Sequence, residues 1–301
     1  MDDLDVGIVI VNWNTRELLR RCLDSVFSSE GVTMRVCVVD NDSQDGSAEM
    51  VATAYPQTYL IHNDRNVGYP AANNQGLRAF GFGRSPSQQH RGGAVPRYAL
   101  LLNADTEIPP DGLAEIIAFA DARPMTGVVG PKLVRPDGSL DLACRRSFPS
   151  PRVSFYRITG LSKLFPSSPR FARYNLTYLD EDEIAEVDSV VGAFMLVRRE
   201  AIEQVGLLDE AFFMYGEDLD WAFRIKEAGW RVFYYPAVTV RHVKRASSRQ
   251  NPRAQVEFWR AMEIFYRKHY AAQTPSLLNA LILAAVRLQT GFTQWRIRQT
   301  T

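Results

Sequence analysis

The strongest constraint in this sequence is a rhythm of short apolar runs rich in Val, Ile and Leu. Several end in a polar cluster and lead toward a segment of helical periodicity. Val6–Val11 runs into Asn12-Trp13-Asn14-Thr15, Val36–Val39 into Asp40-Asn41-Asp42-Ser43, and Tyr98–Leu102 into Asn103-Ala104-Asp105-Thr106, with Tyr59–His62 as a further strand. After the first run, Leu18, Leu19, Cys22, Leu23, Val26 and Phe27 recur at helical spacing, while Arg16, Glu17, Arg20, Arg21 and Asp24 take the other face. Helices are also expected over about 47–54, over 71–80 with Pro70 in the first turn, and over 111–122. Strands that alternate with helices build βαβ units and a parallel sheet covered on both faces. In such sheets ligands gather at the polar carboxyl ends of the strands.

Gly81–Pro96 breaks the rhythm with Gly, Pro, Ser and Gln and reads as a surface insertion. Residues 135–187 show no periodicity; their Pro, Ser, Arg and aromatic content fits a substrate-facing segment or a solvated loop. Order returns with the apolar stretch Val187–Val197 and a helix from about 200 to 205 that stops at Gly206. A second helix opens at Glu217-Asp218-Leu219-Asp220-Trp221 and runs to about Ala228. Arg231–Tyr235 and Val238–His242 read as closing strands, and Asn251-Pro252 caps a long helix to about His269. No domain boundary is expected before about residue 245.

The charge total conceals a division. The 301 residues carry 35 Lys+Arg and 34 Asp+Glu, but residues 1–240 hold 24 basic and 32 acidic side chains and residues 241–301 hold 11 and 2. An apolar content of 46% excludes a disordered chain. No apolar run approaches the ~20 residues of a membrane span, and the apolar stretch Ser276–Val286 is too short to cross a bilayer. Cys22, Cys37 and Cys144 match neither a zinc site nor a disulfide framework, and the acidic N-terminus is unlike a signal peptide, so a cytoplasmic protein is expected.

Three acidic positions follow apolar runs and should emerge at the sheet edge: Asp40, Asp105 and the pair Glu217-Asp218. Asp40 suits a nucleoside base or ribose, or simply a turn. Asp105, in an Asn-x-Asp turn, suits a hard divalent cation that keeps sites for substrate phosphates. Three carboxylates within four residues at a helix start exceed what the helix dipole requires. Burial among Phe212, Phe213 and Tyr215 would raise a carboxyl pKa toward the range of a general base, with Asp218 as the first candidate. His242 suits a metal ligand or a phosphate partner, whereas His62 and His269 show no polar constellation beside them. G-x-G-x-x-G after the first strand, G-x-x-x-x-G-K-[ST] and G-x-S-x-G are all missing, which disfavours the dinucleotide, P-loop and α/β-hydrolase classes.

Taken in order, VGIVIVNWN, CVVDNDSQDGS, NDRNVGYPAANNQG, YALLLNADTEI, VVGAFMLVRREAIEQVGLLDE, FFMYGEDLDWAFRIKEAGW and VRHV resemble the family 2 glycosyltransferases, in particular the rhamnosyltransferase-like branch. The resemblance covers about residues 5–245. It implies a GT-A fold: an α/β nucleotide-diphospho-sugar transferase with a mostly parallel central sheet flanked by helices, here with a C-terminal helical extension. It divides the chain into a domain over 1–245, with a nucleotide-sugar half (1–130) and an acceptor and catalytic half (131–245), and a basic amphipathic tail over 246–301. It also implies inverting, metal-assisted transfer of a sugar to an acceptor hydroxyl. By motif position Asn12, Asp40, Asn66 and Gly68 would line the nucleoside pocket, Asp105 and His242 would hold Mg²⁺ or Mn²⁺, Asp218 would take the acceptor proton and Glu217 would orient it. Asn103 stands where many relatives have the first Asp of D-x-D, so it would serve the donor without charge.

The branch points to dTDP-rhamnose, with UDP-hexoses, furanose donors and a non-catalytic nucleotide-sugar-binding subunit as alternatives. The expected partners are the donor and a saccharide or lipid-linked saccharide acceptor of cell-surface polysaccharide or glycolipid assembly, not nucleic acid. Residues 246–301 suit either peripheral contact with the inner face of the plasma membrane or packing against the body or a second copy.

Overall fold

The computed structural model describes residues 4–83, 94–243 and 254–300. The rhythm read above becomes β1 (Val6–Asn12), α1 (Arg16–Phe27), β2 (Met34–Asn41), α2 (Ser47–Ala54), β3 (Tyr59–Asn63), α3 (Tyr69–Ala79), β4 (Tyr98–Asn103), β5 (Thr106–Glu107) and α4 (Gly112–Asp121). β6 (Thr126–Val134), α5 (Pro151–Ile158), α6 (Leu161–Leu164), β7 (Ala185–Glu186), β8 (Phe194–Arg198), α7 (Arg199–Val205), α8 (Glu217–Glu227) and β9 (Arg231–His242) follow. The chain ends in α9 (Ala254–His269) and α10 (Ser276–Thr300).

The strands form one nine-stranded sheet in the order β3-β2-β1-β4-β8-β6-β9-β5, with β7 beside β9. β1 to β4 are parallel, β8 lies antiparallel between β4 and β6, and β9 is parallel to β6. Ile8, Val9, Ile10, Val38, Val39, Leu100, Leu101 and Leu102 are fully buried, and each such side chain contributes roughly 1.5–3 kcal/mol by leaving water. That burial explains why these strands are apolar throughout rather than alternating.

Four expectations are corrected. The two closing strands are one, β9, with a shift of register between Pro131 and Lys132 of its partner β6. β6 itself went unread, because Thr126-Gly127 and Pro131-Lys132 interrupt its apolar pattern. Residues 135–187 contain helices α5 and α6. The short apolar stretch from Ser276 is the first part of a 25-residue helix, and its residues Ser276–Gln299 are long and apolar enough to cross a membrane by length and composition. The heart of the Gly81–Pro96 insertion with His90, and the Asn251-Pro252 cap, lie outside the described residues.

Candidate active site

The carboxyl ends of β1, β2 and β4 open onto a cavity of about 1130 Å³. Its lining includes Val11, Trp13, Asn41, Asn66 and Gly68, the acids Asp105, Glu217 and Asp218 with His242, and Phe258, Trp259 and Arg296 from the C-terminal helices.

The first chemical centre forms at the end of the sheet. β5 pairs antiparallel with the end of β9, setting Thr106 opposite His242, so the imidazole Nε2 lies 3.3 Å from Asp105 Oδ1. Its Nδ1 lies 3.1 Å from Asp141 Oδ2. Asp141 reaches that place because the chain doubles back after β6: the Asp141 amide donates to the Leu133 carbonyl, beside the strand that carries His242. All three side chains are buried. Burial pulls the histidine down, but its contacts with Asp105 and Asp141 outweigh this and push it up to about 9. Among the described residues no cluster of three His, Cys, Asp or Glu side chains surrounds one point. The donor set is a carboxylate and an imidazole whose second nitrogen is anchored by a buried carboxylate, the arrangement that orients histidine ligands in metal sites. One carboxylate and, once its proton is displaced, one imidazole nitrogen are a donor set that fits a divalent cation.

The second centre is the start of α8. Tyr215 (φ 68°) and Gly216 (φ 82°) both adopt left-handed backbone, uncommon for tyrosine, and this turn aims the first helical carboxylates into the cavity. Asp218 Oδ2 accepts from Arg146 Nη2 at 2.7 Å and from the Gly192 amide at 2.9 Å, and Oδ1 accepts from the Leu219 amide at 2.7 Å. Glu217 is buried, and its Oε2 has no hydrogen-bond partner among the described residues. Burial first, and the neighbouring Asp218 second, push its carboxyl up to about 8. The pair is thus unequal: Asp218 is an acceptor fixed by a guanidinium, and Glu217 is a carboxyl pushed toward its neutral form.

Tyr69 connects the two centres. Its hydroxyl lies 3.0 Å from Asn103 Oδ1 and 2.9 Å from the Gly192 carbonyl, and Gly192 in turn donates to Asp218. Gly68 makes the junction: at φ 91° it approaches Phe213 so closely that a Cβ would stand 2.7 Å from the Phe213 carbonyl oxygen. The Tyr69 amide donates to that same oxygen.

The structure therefore brings Asn66, Gly68, Asn103, Asp105, His242, Glu217 and Asp218 to one cavity. Asn12 and Asp40 are different. Asn12 Nδ2 donates to Asp40 Oδ1 at 2.9 Å, Asp40 Oδ2 accepts from the Ser43 amide, and both side chains are buried behind a wall made by Val11, Trp13 and Asn41. His62 and His269 do have carboxylate neighbours: His62 Nδ1 is 3.3 Å from Asp40 Oδ2 and His269 Nε2 is 2.8 Å from Asp220 Oδ1. The residues that sequence reasoning missed are Asp141, Arg146 and Tyr69. The first two come from the segment without periodicity, which also supplies Arg157, Tyr174 and Asn175 to the cavity wall. The three cysteines are buried and unpaired, with thiols pushed up to about 12, 12 and 11, outside the range of a reactive thiolate.

A mostly parallel sheet whose carboxyl edge opens on a cavity with an Asn-x-Asp turn and a second acid pair defines a glycosyltransferase of the GT-A fold. The profile described as "Glycosyltransferase like family 2" matches residues 4–256, and the chain belongs to that family. It is similar to an N-acetylglucosaminyl-diphospho-decaprenol L-rhamnosyltransferase of Mycobacterium tuberculosis, 29% identical over 245 residues that cover 81% of this chain and 78% of the relative. It is also similar to the low-salt glycan biosynthesis hexosyltransferase Agl10 of Haloferax volcanii, at 24% identity over 74% of this chain and 62% of the relative. Among solved structures, GalNAc-T7 with UDP, GalNAc and Mn²⁺ superimposes with a TM-score of 0.58 at 15% identity over 96% of this chain, which spans about half of that one (55%). S. aureus TarS 1–349 gives 0.55 at 13% identity, over 95% of this chain and 71% of that one. These two likenesses concern the fold alone.

Proposed function

We propose that this chain is an inverting, metal-dependent transferase that moves rhamnose from dTDP-rhamnose to a hydroxyl of a lipid-linked saccharide during assembly of a cell-surface polysaccharide or glycolipid. The observation that carries the reading is the meeting of two unlike carboxylate centres, Asp105–His242 and Glu217–Asp218, on one cavity. The rhamnosyl group and the lipid-linked acceptor class are supported by the likeness to the mycobacterial L-rhamnosyltransferase. In this reading residues 1–130 bind the nucleotide-sugar and 131–245 the acceptor.

Asp105 and His242 would hold Mg²⁺ or Mn²⁺, which when bound neutralises charge on the departing diphosphate. The fused ends of β5 and β9 hold these two side chains at one point, with Asp141 fixing the imidazole. Trp13 and Asn41 face the nucleoside, with Asn12 and Asp40 bracing that wall from behind. Asn66 and Gly68 bring the backbone close to the donor. Asn103 contributes an uncharged amide, held by Tyr69, where a further carboxylate would add repulsion beside Asp105, Glu217 and Asp218. On the other side of the sugar Asp218 accepts the proton of the acceptor hydroxyl as the new glycosidic bond forms and the bond to the diphosphate breaks. Arg146 and Gly192 hold the Asp218 oxygens in place, and Glu217 orients the acceptor.

A panel of nucleotide-sugars offered to the full chain with a polyprenyl-diphosphate-linked saccharide, with and without Mn²⁺, tests this. Transfer from dTDP-rhamnose with a β-to-α change of anomeric configuration, lost on chelation, is the expected result. Faster transfer from a UDP-hexose, or retention of configuration, overturns the donor or the mechanism respectively.

A further inference from the structure

α10 has two apolar faces, and only one is covered among the described residues. Asn279, Ile282, Leu283, Val286, Thr290 and Thr293 recur at spacings of three and four and are partly or fully buried. This face packs on α9, where the Tyr266 hydroxyl donates to Asn279 Oδ1 at 3.0 Å and Arg287 lies 3.3 Å from Glu263. α9 is itself fastened to the catalytic body. Phe265 lies among Phe148 and Phe223, Lys268 pairs with Asp209 and Asp220, and His269 pairs with Asp220.

On the opposite side Leu277, Leu281, Leu288, Phe292 and Trp295 fall within one narrow stripe at 100° per residue. They are 76, 60, 73, 54 and 57% exposed. At 1.5 Å per residue the stripe is about 27 Å long. Single exposed leucines are ordinary on a protein surface, but a continuous apolar stripe marks a contact surface. The charges of α10 select the partner: the helix has no acidic residue, and Arg298 flanks the stripe, while Arg287 turns to Glu263 of α9 and Arg296 to the cavity. Across α9 and α10 together there are six Lys or Arg and two Glu.

We propose that this stripe is the docking face for an anionic lipid bilayer, with α10 lying in the plane of the interface and the net positive charge of α9 and α10 held at the level of the headgroups. A basic helix with one such apolar stripe buries it at the boundary of headgroups and acyl chains. α10 is long enough to span, but its other face is fastened to a helix carrying Arg260, Glu263, Arg267 and Lys268, and drawing those charges into the hydrocarbon opposes insertion. The C-terminal end of α10 also belongs to the active site, since Arg296 and Ile297 line the cavity beside Phe258, Trp259 and Met262 of α9. Docking therefore brings the cavity to the level of the membrane, where a lipid-linked acceptor can reach Asp218 with its lipid still in the bilayer. That last step rests on the transfer reading above; the docking itself does not.

The test is flotation of the full chain with vesicles of equal parts phosphatidylglycerol and phosphatidylcholine, against phosphatidylcholine alone. The comparison variant carries Leu277→Gln, Leu281→Gln and Leu288→Gln, three exposed positions outside the catalytic site, and its fold is checked by circular dichroism and by donor hydrolysis. The native chain is expected to float with the anionic vesicles and to be released by alkaline carbonate, and the triple variant to partition at least ~10-fold less. Flotation unchanged by the triple substitution overturns the proposal, as does resistance to carbonate, which marks a spanning helix. Failure to float together with a stripe-dependent dimer in light scattering also overturns it, in favour of a second copy. If the stripe governs flotation while no nucleotide-sugar is turned over, the docking stands and the transfer reading falls; transfer with stripe-independent flotation gives the reverse.

Discussion

The two carboxylate centres of the cavity share burial and distance from bulk water, yet each is held in a different way. Asp105 belongs to a relay of carboxylate, imidazole and carboxylate, whose two acids push His242 up to about 9, so that a cation held by Asp105 and His242 would have to displace the imidazole proton. Asp218 belongs to a pair of adjacent acids served by a guanidinium, and there one carboxyl is driven toward its neutral form while the other is kept as an acceptor. The difference teaches that one kind of side chain is set in two electrostatic states by the choice of its neighbour, which is what the proposed cation and proton roles require. In both centres that neighbour, Asp141 or Arg146, comes from the same short stretch after β6.

The contrast is breakable by substitution. Asp105→Ala is expected to lower transfer at least ~10³-fold, because Asp141, the other carboxylate beside His242, lies on the Nδ1 side of the ring and not at the Nε2 that Asp105 faces. A rate within tenfold of native at saturating metal would remove the cation role. Asp218→Asn should lower turnover ~10²–10³-fold while leaving nucleoside diphosphate binding intact by calorimetry; unchanged turnover eliminates it as the proton acceptor.

Arg146→Met leaves Asp218 buried without its cation and should cost about 3 kcal/mol of stability, read as a lower midpoint in denaturant, with Arg146→Lys recovering part of it. A destabilisation below about 1 kcal/mol would mean that the pair is not the anchor described here. Asp141→Asn keeps the shape but loses the charge behind His242, so metal affinity should fall ~10-fold or more with turnover at saturating metal less affected. Equal loss of both would make Asp141 part of the fold rather than of the cation site.

The smallest effect concerns the attachment of α9. Burial alone would raise Asp220, but His269, Lys268 and Arg224 outweigh it and bring it down to about 2. A carboxylate with a depressed folded pKa contributes stability that is present above its unfolded value, roughly pH 4, and is lost as pH falls toward 2. Its contribution is on the order of 2 kcal/mol. Protection of α9 amides in hydrogen exchange should weaken across that window, and Asp220→Asn should flatten the dependence. The same profile in native and variant chains would break the link.

What the sequence disclosed follows the same division. β1, β2, β4 and α8 were legible because each is apolar throughout or periodic and meets a polar cluster at one end, where Asn103, Asp105, Glu217 and Asp218 sit, and His242 closes the apolar alternation of β9. Asp141 and Arg146 were not, since their segment has no periodicity and their places depend on backbone pairings to Leu133 and Ser189, remote from any local signal. The place of Asp40 was hidden for a related reason. A polar residue at a strand end can turn inward to bond its neighbour, and here Asn12 and Asp40 satisfy each other while Trp13 and Asn41 face the cavity. The length of α10 was hidden because Thr290, Gly291, Thr293 and Gln294 dilute its apolar pattern after Val286.

The division of labour between the two centres is tested most directly by Mn²⁺ binding, followed by electron paramagnetic resonance in the presence of a nucleoside diphosphate. Native protein and Asp218→Asn should bind Mn²⁺ with similar affinity, and Asp105→Asn should bind it at least ~10-fold more weakly. Native affinity in Asp105→Asn, or loss of binding in Asp218→Asn, would contradict the assignment.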